Sequence, residues 1–179
     1  LIHRRGVAKY CDAAAFHFYN WDQPEKLISS ARLLRSFLAP ADGGPAKPLW
    51  NTESGWYIES KFEKIDSAFG VNNEKLNLLS SHEAGDYLLR AAIVFWASGV
   101  ERHFLYAWDN GKMGLSEKDG SAKETAMAFA TAFAWLSGST MRECVRSAEG
   151  FWSARLEDAA MKTRYVLWRQ KGESTWMPP

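Results

Sequence analysis

The stretch Lys47-Pro48-Leu49-Trp50-Asn51-Thr52-Glu53 reads as a short strand ending on a carboxylate, and its place between helices decides the fold. After a long loop from Ser54 to Leu79, a helix begins at Ser80-Ser81-His82-Glu83. Ser80 and Glu83 stand at capping-box spacing, and Gly99 closes the helix behind a body of Leu88, Ala91, Ala92 and Phe95. Upstream the same order is met. Ala13-Ala14-Ala15-Phe16-His17-Phe18-Tyr19 is strand-like, and Asp22-Gln23-Pro24-Glu25 opens a helix carrying Leu33, Leu34 and Phe37. Asp22 as N-cap, proline in the first turn and Glu25 three residues on form a helix start, while Pro40 and Gly43-Gly44-Pro45 stop it. Downstream, His103-Phe104-Leu105-Tyr106-Ala107-Trp108 leads to Ser121-Ala122-Lys123-Glu124, a second capping box, and to an Ala/Phe-rich helix ending near Gly138.

Strands alternating with helices predict an α/β fold with a parallel sheet and crossover helices. The first two strands begin at residues 13 and 47, close to the ~30 residues of a βαβ unit. After Gly138 the texture changes: Gly150–Leu156 and Arg164–Trp168 read as antiparallel strands with no helix between them. The expected division is therefore 1–138 and 139–179, the second part being the start of a small β-domain, cut short at Pro179.

Residues two apart on a strand share a face. His17 and Tyr19 then point together with Ala13 and Ala15, and Phe16 and Phe18 point to the helices. Leu49, Asn51 and Glu53 share one face of the second strand, Trp50 and Thr52 the other; Phe104, Tyr106 and Trp108 are co-facial on the third. Tyr19, Glu53 and Trp108 thus stand at three strand C-termini, the edge where parallel α/β proteins build their sites. Each admits a plainer reading. Glu53 is equally the first solvated residue past a strand, His17 a hydrogen-bonded core histidine, and Trp108 core filling beside the good turn Asp109-Asn110-Gly111. Trp56, Tyr57 and Phe62 either pack a satellite cluster or offer stacking surfaces for sugar rings.

Composition narrows the partners. Lys and Arg number 22 against 21 Asp and Glu, a net charge of +1, so there is no basic field for nucleic acid. The longest apolar run, Leu88 to Ala97, is half the ~20 residues of a membrane span. Cys11 and Cys144 belong to no Cys/His cluster, and neither a metal nor another cofactor is expected.

His17-Phe18-Tyr19, Pro48-Leu49-Trp50-Asn51-Thr52-Glu53-Ser54-Gly55-Trp56 and Phe104-Leu105-Tyr106-Ala107-Trp108-Asp109 resemble strands six, seven and eight of a (β/α)8-barrel (TIM-barrel) glycoside hydrolase of clan A, nearest to family 39 or family 5. The Gly114-Leu115 loop and the Trp135-Leu136-Ser137-Gly138 ending share the resemblance, which covers about residues 12–138. It implies a retaining hydrolase of β-linked glycosides or polysaccharides acting by double displacement. Glu53 would be the nucleophile, Tyr19 its hydrogen-bond donor, and His17 and Trp108 would shape and floor the sugar site. Trp56 would join the substrate-binding set. Such an enzyme needs a second carboxyl group ~5–5.5 Å away as acid/base.

The departure is in the rest of the barrel. The acid/base Glu of the clan lies at the end of strand four, in an Asn-Glu pair, and the only such pair here, Asn73-Glu74, follows the Glu53 strand. A barrel takes ~250 residues, so strands one to five and the acid/base are expected outside this chain. The missing N-terminal half would cover an apolar face of Ala13, Ala15, Leu49, Phe104 and Tyr106. The alternatives are a non-catalytic glycan-binding barrel remnant and a complete, smaller open sheet. A polysaccharide substrate implies a secreted or periplasmic location.

Overall fold

The computed structural model describes residues 7–19, 23–39, 46–63 and 78–170. Asp22, Pro40, Gly43, Gly44, Pro45 and the Asn73-Glu74 pair lie outside the described residues. The chain divides into two units, residues 1–134 and 135–179. The first runs β1 (Ala14–Phe18), α1 (Leu27–Leu38), β2 (Leu49–Ser54), β3 (Tyr57–Ile58), β4 (Leu78–Leu79), α2 (Ser81–Ala97), β5 (Val100–Leu105) and α3 (Glu124–Leu136).

β1, β2 and β5 lie side by side in parallel, in that order. Parallel neighbours need a crossover, and α1 and α2 supply the two. The strand–helix alternation of the sequence is thus a mixed α/β arrangement. β3 and β4 form a separate parallel pair within the long loop.

One face of the three-stranded sheet is covered by α2. Phe95 meets Phe16 (ring centroids 6.4 Å apart), takes Phe18 edge-on (6.0 Å) and stacks on His103 of β5 (4.1 Å). Phe16 and Phe18 therefore face the helix, as their alternation predicts, while Ala15 and His17 are exposed on the other side. Burying one such aromatic ring contributes about 1.5–3 kcal/mol. α2 starts on a complete capping box of Ser80 and Glu83 and ends before Gly99, whose φ of 73° suits glycine.

A charge is also built into this layer. Arg90 of α2 grips Glu25 at two points, Nε to Oε1 at 2.8 Å and Nη2 to Oε2 at 2.7 Å, and both side chains are buried. The pair docks the 3-10 turn Pro24–Lys26 that precedes α1 onto α2.

Three local expectations change. The buried residues of α1 are Leu27, Ala31 and Leu38, whereas Leu33 and Phe37 are exposed: the packing stripe is rotated from the one the apolar pattern suggests. Ser121 does not cap α3; its hydroxyl donates to Asp119 Oδ1, and the amide of Thr125 donates to Ser81 Oγ on α2 instead. The strand before the third helix runs from Val100 to Leu105, starting three residues before His103 and ending three before Trp108.

In the second unit β6 (Ser139–Arg146), β7 (Phe151–Asp158) and β8 (Thr163–Arg169) form an antiparallel meander. β7 and β8 are the two strands expected; β6 is additional. Trp152 stacks on Trp168 across β7 and β8 (5.8 Å), and Arg142 pairs with Glu157 across β6 and β7 (2.5 Å).

Candidate active site

Between Asn51 and Ser54, β2 carries one residue more than the stretches of β1 and β5 it pairs with. From Asn51 to Ser54 it advances three residues, while β1 advances two, from Phe16 to Phe18, and β5 two, from His103 to Leu105. This is a β-bulge, which re-aims the side chains beyond it. Asn51 and Ser54 both fall on the helix-covered side and are fully buried. Glu53 pairs with His17 and takes that residue's side, the open one. Simple alternation puts Glu53 with Leu49 and Asn51. The bulge corrects that: Leu49, also expected on the open inner face, is buried on the helix side, and Glu53 leaves it.

On the open face Glu53 is met by two side chains from β1 and its end. Tyr19 Oη donates to Glu53 Oε1, and His17 Nδ1 stands 3.3 Å from Oε2. Burial, then the hydrogen bond to Glu53, then charge on Glu53 and the nearby phenols of Tyr106 and Tyr57 push the Tyr19 phenol well above the ordinary tyrosine value. Tyr19 therefore stays protonated and remains a donor. The Glu53 side chain is 32% exposed and that of His17 58%, so the carboxylate is both held and reachable.

Strand alternation marks Tyr106 only as an inner-face residue. Its phenol accepts from Asn110 Nδ2 at 3.2 Å, and Asn110 is in turn fixed by the amides of Lys112 and Met113. Asn110 was legible only as a turn residue. Behind the site Ser54 Oγ lies 2.9 Å from His103 Nε2, and burial pushes the His103 imidazole down to about 4, which keeps it neutral near pH 7. Gly55 leaves β2 against the Tyr106 carbonyl oxygen, where a Cβ would collide with that backbone atom.

Phe104, Tyr106 and Trp108, at alternate positions, are all exposed, Trp108 to 68%. Trp108 is thus accessible in the segment that follows β5, three residues beyond its end at Leu105. Trp56 is not. It is only 2% exposed and packs edge-on against Tyr87 of α2 (5.6 Å), so its expected place among substrate-binding residues is corrected to the core. Tyr57 beside it is half-buried, and Phe62 is exposed. Among the described residues no three His, Cys, Asp or Glu side chains gather as a metal site, and no helix is long and apolar enough to cross a membrane.

No family model and no curated protein matches the chain. Among solved structures it is similar to a GH2 β-galacturonidase from Eisenbergiella tayi bound to glycerol, at TM-score 0.50 and 12% identity, over 73% of this chain and 25% of that one. It is also similar to a β-glucuronidase from Faecalibacterium prausnitzii, at TM-score 0.46 and 13% identity, over 73% and 23%. The chain spans about a quarter of the length of these proteins. The likeness to the galacturonidase shows a glycosidase-like fold, and it bears on the fold alone. That protein is of family GH2, where the sequence resemblance points to family 39 or family 5.

Proposed function

We propose that this chain is the C-terminal part of a retaining glycoside hydrolase barrel, with Glu53 as nucleophile. β1, β2 and β5 would be strands six, seven and eight, and residues 139–179 the start of an accessory β-domain. One observation carries the reading. A half-exposed carboxylate at the C-terminal end of a parallel strand is held by a phenol and an imidazole from the neighbouring strand. Retaining glycosidases need a carboxyl group that is oriented and open on one side.

The chemistry then runs in two displacements. A Glu53 oxygen attacks the anomeric carbon of a β-glycoside as the glycosidic C–O bond breaks. A carboxylic acid outside this chain gives its proton to the leaving oxygen. The sugar remains as an ester on Glu53. The outside group, now a carboxylate, takes a proton from water as that water attacks the anomeric carbon. Sugar leaves, and both carboxyl groups return to their starting states. Tyr19 keeps its proton throughout and orients Glu53, His17 borders the sugar bound at the cleaved bond, and Trp108 stacks beneath it.

The test is to treat the longest natural protein carrying this sequence with an activated 2-fluoro β-glycoside and to map the adduct by peptide mass spectrometry. The expected adduct is on Glu53, and Glu53→Gln takes none. An adduct on another residue overturns the assignment. Retention of a glycan with neither cleavage nor adduct identifies a glycan-binding protein instead.

A further inference from the structure

We infer that Asn51 is the positioning residue of Glu53: its buried amide holds the extra residue of β2 in place, and that bulge turns the carboxylate to the open face. The inference rests on Glu53 being the nucleophile, and it adds why a strand whose alternation points Glu53 under α2 presents it to substrate.

The geometry is local and complete. Asn51 Nδ2 donates to Phe16 O on β1 at 3.2 Å and to Glu53 O on its own strand at 3.0 Å. These two carbonyls flank the place where the register slips, between Phe16 and His17 on one strand and across Thr52 on the other. One amide therefore ties the strand before the bulge to the residue after it. A side chain that donates to nearby backbone carbonyls offers the chain an alternative to ladder pairing. Among the described residues no other side chain spans the bulge as well. Thr52 Oγ1 reaches Phe16 O only at 3.5 Å, the outer limit of a hydrogen bond, and Thr52 is exposed. Asn51 itself is 0% exposed, so bulk solvent does not reach its donors.

The other half of the amide argues for the same purpose. Asn51 Oδ1 is buried with no hydrogen-bond partner among the described residues. An orphaned acceptor at a fully buried position is unfavourable. A leucine there would bury the same volume without it. The strand keeps the asparagine, and the two donors are what it gains. Without them the economical β2 is a regular strand. Glu53 would then share the covered side with Leu49, out of reach of Tyr19 and His17.

The experiment uses the longest natural protein carrying this sequence, in three forms: unsubstituted, Asn51→Leu and Asn51→Asp. Each is assayed on an aryl β-glycoside, and the Tyr19 ring is titrated by NMR after 13C labelling of tyrosine. Asn51→Leu is expected to lower kcat on the order of 10²-fold, the scale of a small misplacement of a reacting group, with KM changed by less than about threefold. Its Tyr19 should titrate at lower pH than in the unsubstituted protein, because Glu53 has moved away. Asn51→Asp keeps the shape and regains one donor only when protonated. Its kcat relative to the unsubstituted protein should therefore rise as pH falls from 7 to 5. Across on β5 the covered side presents His103 to position 51, neutral over that range, while the Glu53 carboxylate lies on the open face. Both are common to the two proteins compared at each pH.

Unchanged kcat with an unmoved Tyr19 in Asn51→Leu overturns the inference. So does a loss of kcat while Tyr19 titrates as before. Should Asn51→Leu not fold, Asn51→Asp decides: recovery at low pH supports the role, and a constant ratio overturns it. If the unsubstituted protein cleaves no glycoside, the glycosidase reading fails, and the Tyr19 titration alone still decides whether Asn51 holds Glu53.

Discussion

Both oxygens of Glu25 are taken by one guanidinium on the covered side of the sheet, whereas those of Glu53 on the open side meet a phenol and an imidazole. Glu25 is sealed from water; Glu53 is a third exposed. A forked cation cancels the charge of a carboxylate and occupies its lone pairs, which suits an anchor between α2 and the turn before α1. A phenol with a raised pKa orients a carboxylate and leaves its charge intact, which suits a nucleophile. The same side chain is thus a rivet in one place and, in the proposed function, a reagent in the other, according to the partner the fold brings to it.

Three substitutions sharpen or break that contrast. The largest effect is expected at the anchor. Glu25→Gln leaves a buried Arg90 without its counter-charge and should cost about 3–5 kcal/mol of stability, read as a fall in the denaturant midpoint. The kcat per folded molecule should stay as it was. A loss of activity at full stability would show that Glu25 serves the site after all. Next comes the donor at the rim. Tyr19→Phe should lower kcat by about 10–10²-fold, toward the lower end of what a lost electrostatic donor costs, while the thermal midpoint hardly moves. If stability falls and kcat does not, Tyr19 belongs with the anchors.

The smallest effect concerns a second titratable group on the covered side. The folded-state pKa of His103, about 4, lies below the ~6.5 of an unfolded chain. Between these values the unfolded state binds more protons, so stability is fully present above ~6.5 and falls as the pH drops toward 4. The slope is at most about 1.4 kcal/mol per pH unit. His103→Gln should flatten this part of the stability curve measured by urea unfolding from pH 7 to 4.5. An unchanged slope would assign the acid sensitivity to other groups.

Much of the parallel unit was legible because its signals are local and strong. The alternation of strand and helix patterns marked β1, β2 and β5, and Ser80 with Glu83 marked the start of α2. Alternation in Phe16 and Phe18 gave the covered face of β1. Other features leave no local trace. A period of two carries no sign of an inserted residue, so the bulge at Thr52 escapes a face-by-face reading, and Leu49 and Asn51 are put on the open side with Glu53. Leu33 and Phe37 look like core because apolar spacing defines a stripe but not which neighbour covers it. Trp56 looks like a sugar platform because a tryptophan in a loop gives no hint that Tyr87, thirty-one positions on, closes over it. β6 is mostly polar and exposed, a strand defined by pairing with β7 rather than by its own pattern. The cluster around Glu53 was legible only in part. Tyr19 and His17 could be read from strand ends, but Tyr106 and Asn110 needed the loop geometry.

Gly55 has a meaning for anyone tracing descent. Because the Tyr106 carbonyl just past β5 occupies the space a first side-chain carbon would need, mutational drift is barred there by geometry. In sequences too diverged to align elsewhere, a glycine two places after a strand-end glutamate is therefore a fixed point for setting the register, and a saturation library at that codon should return glycine alone.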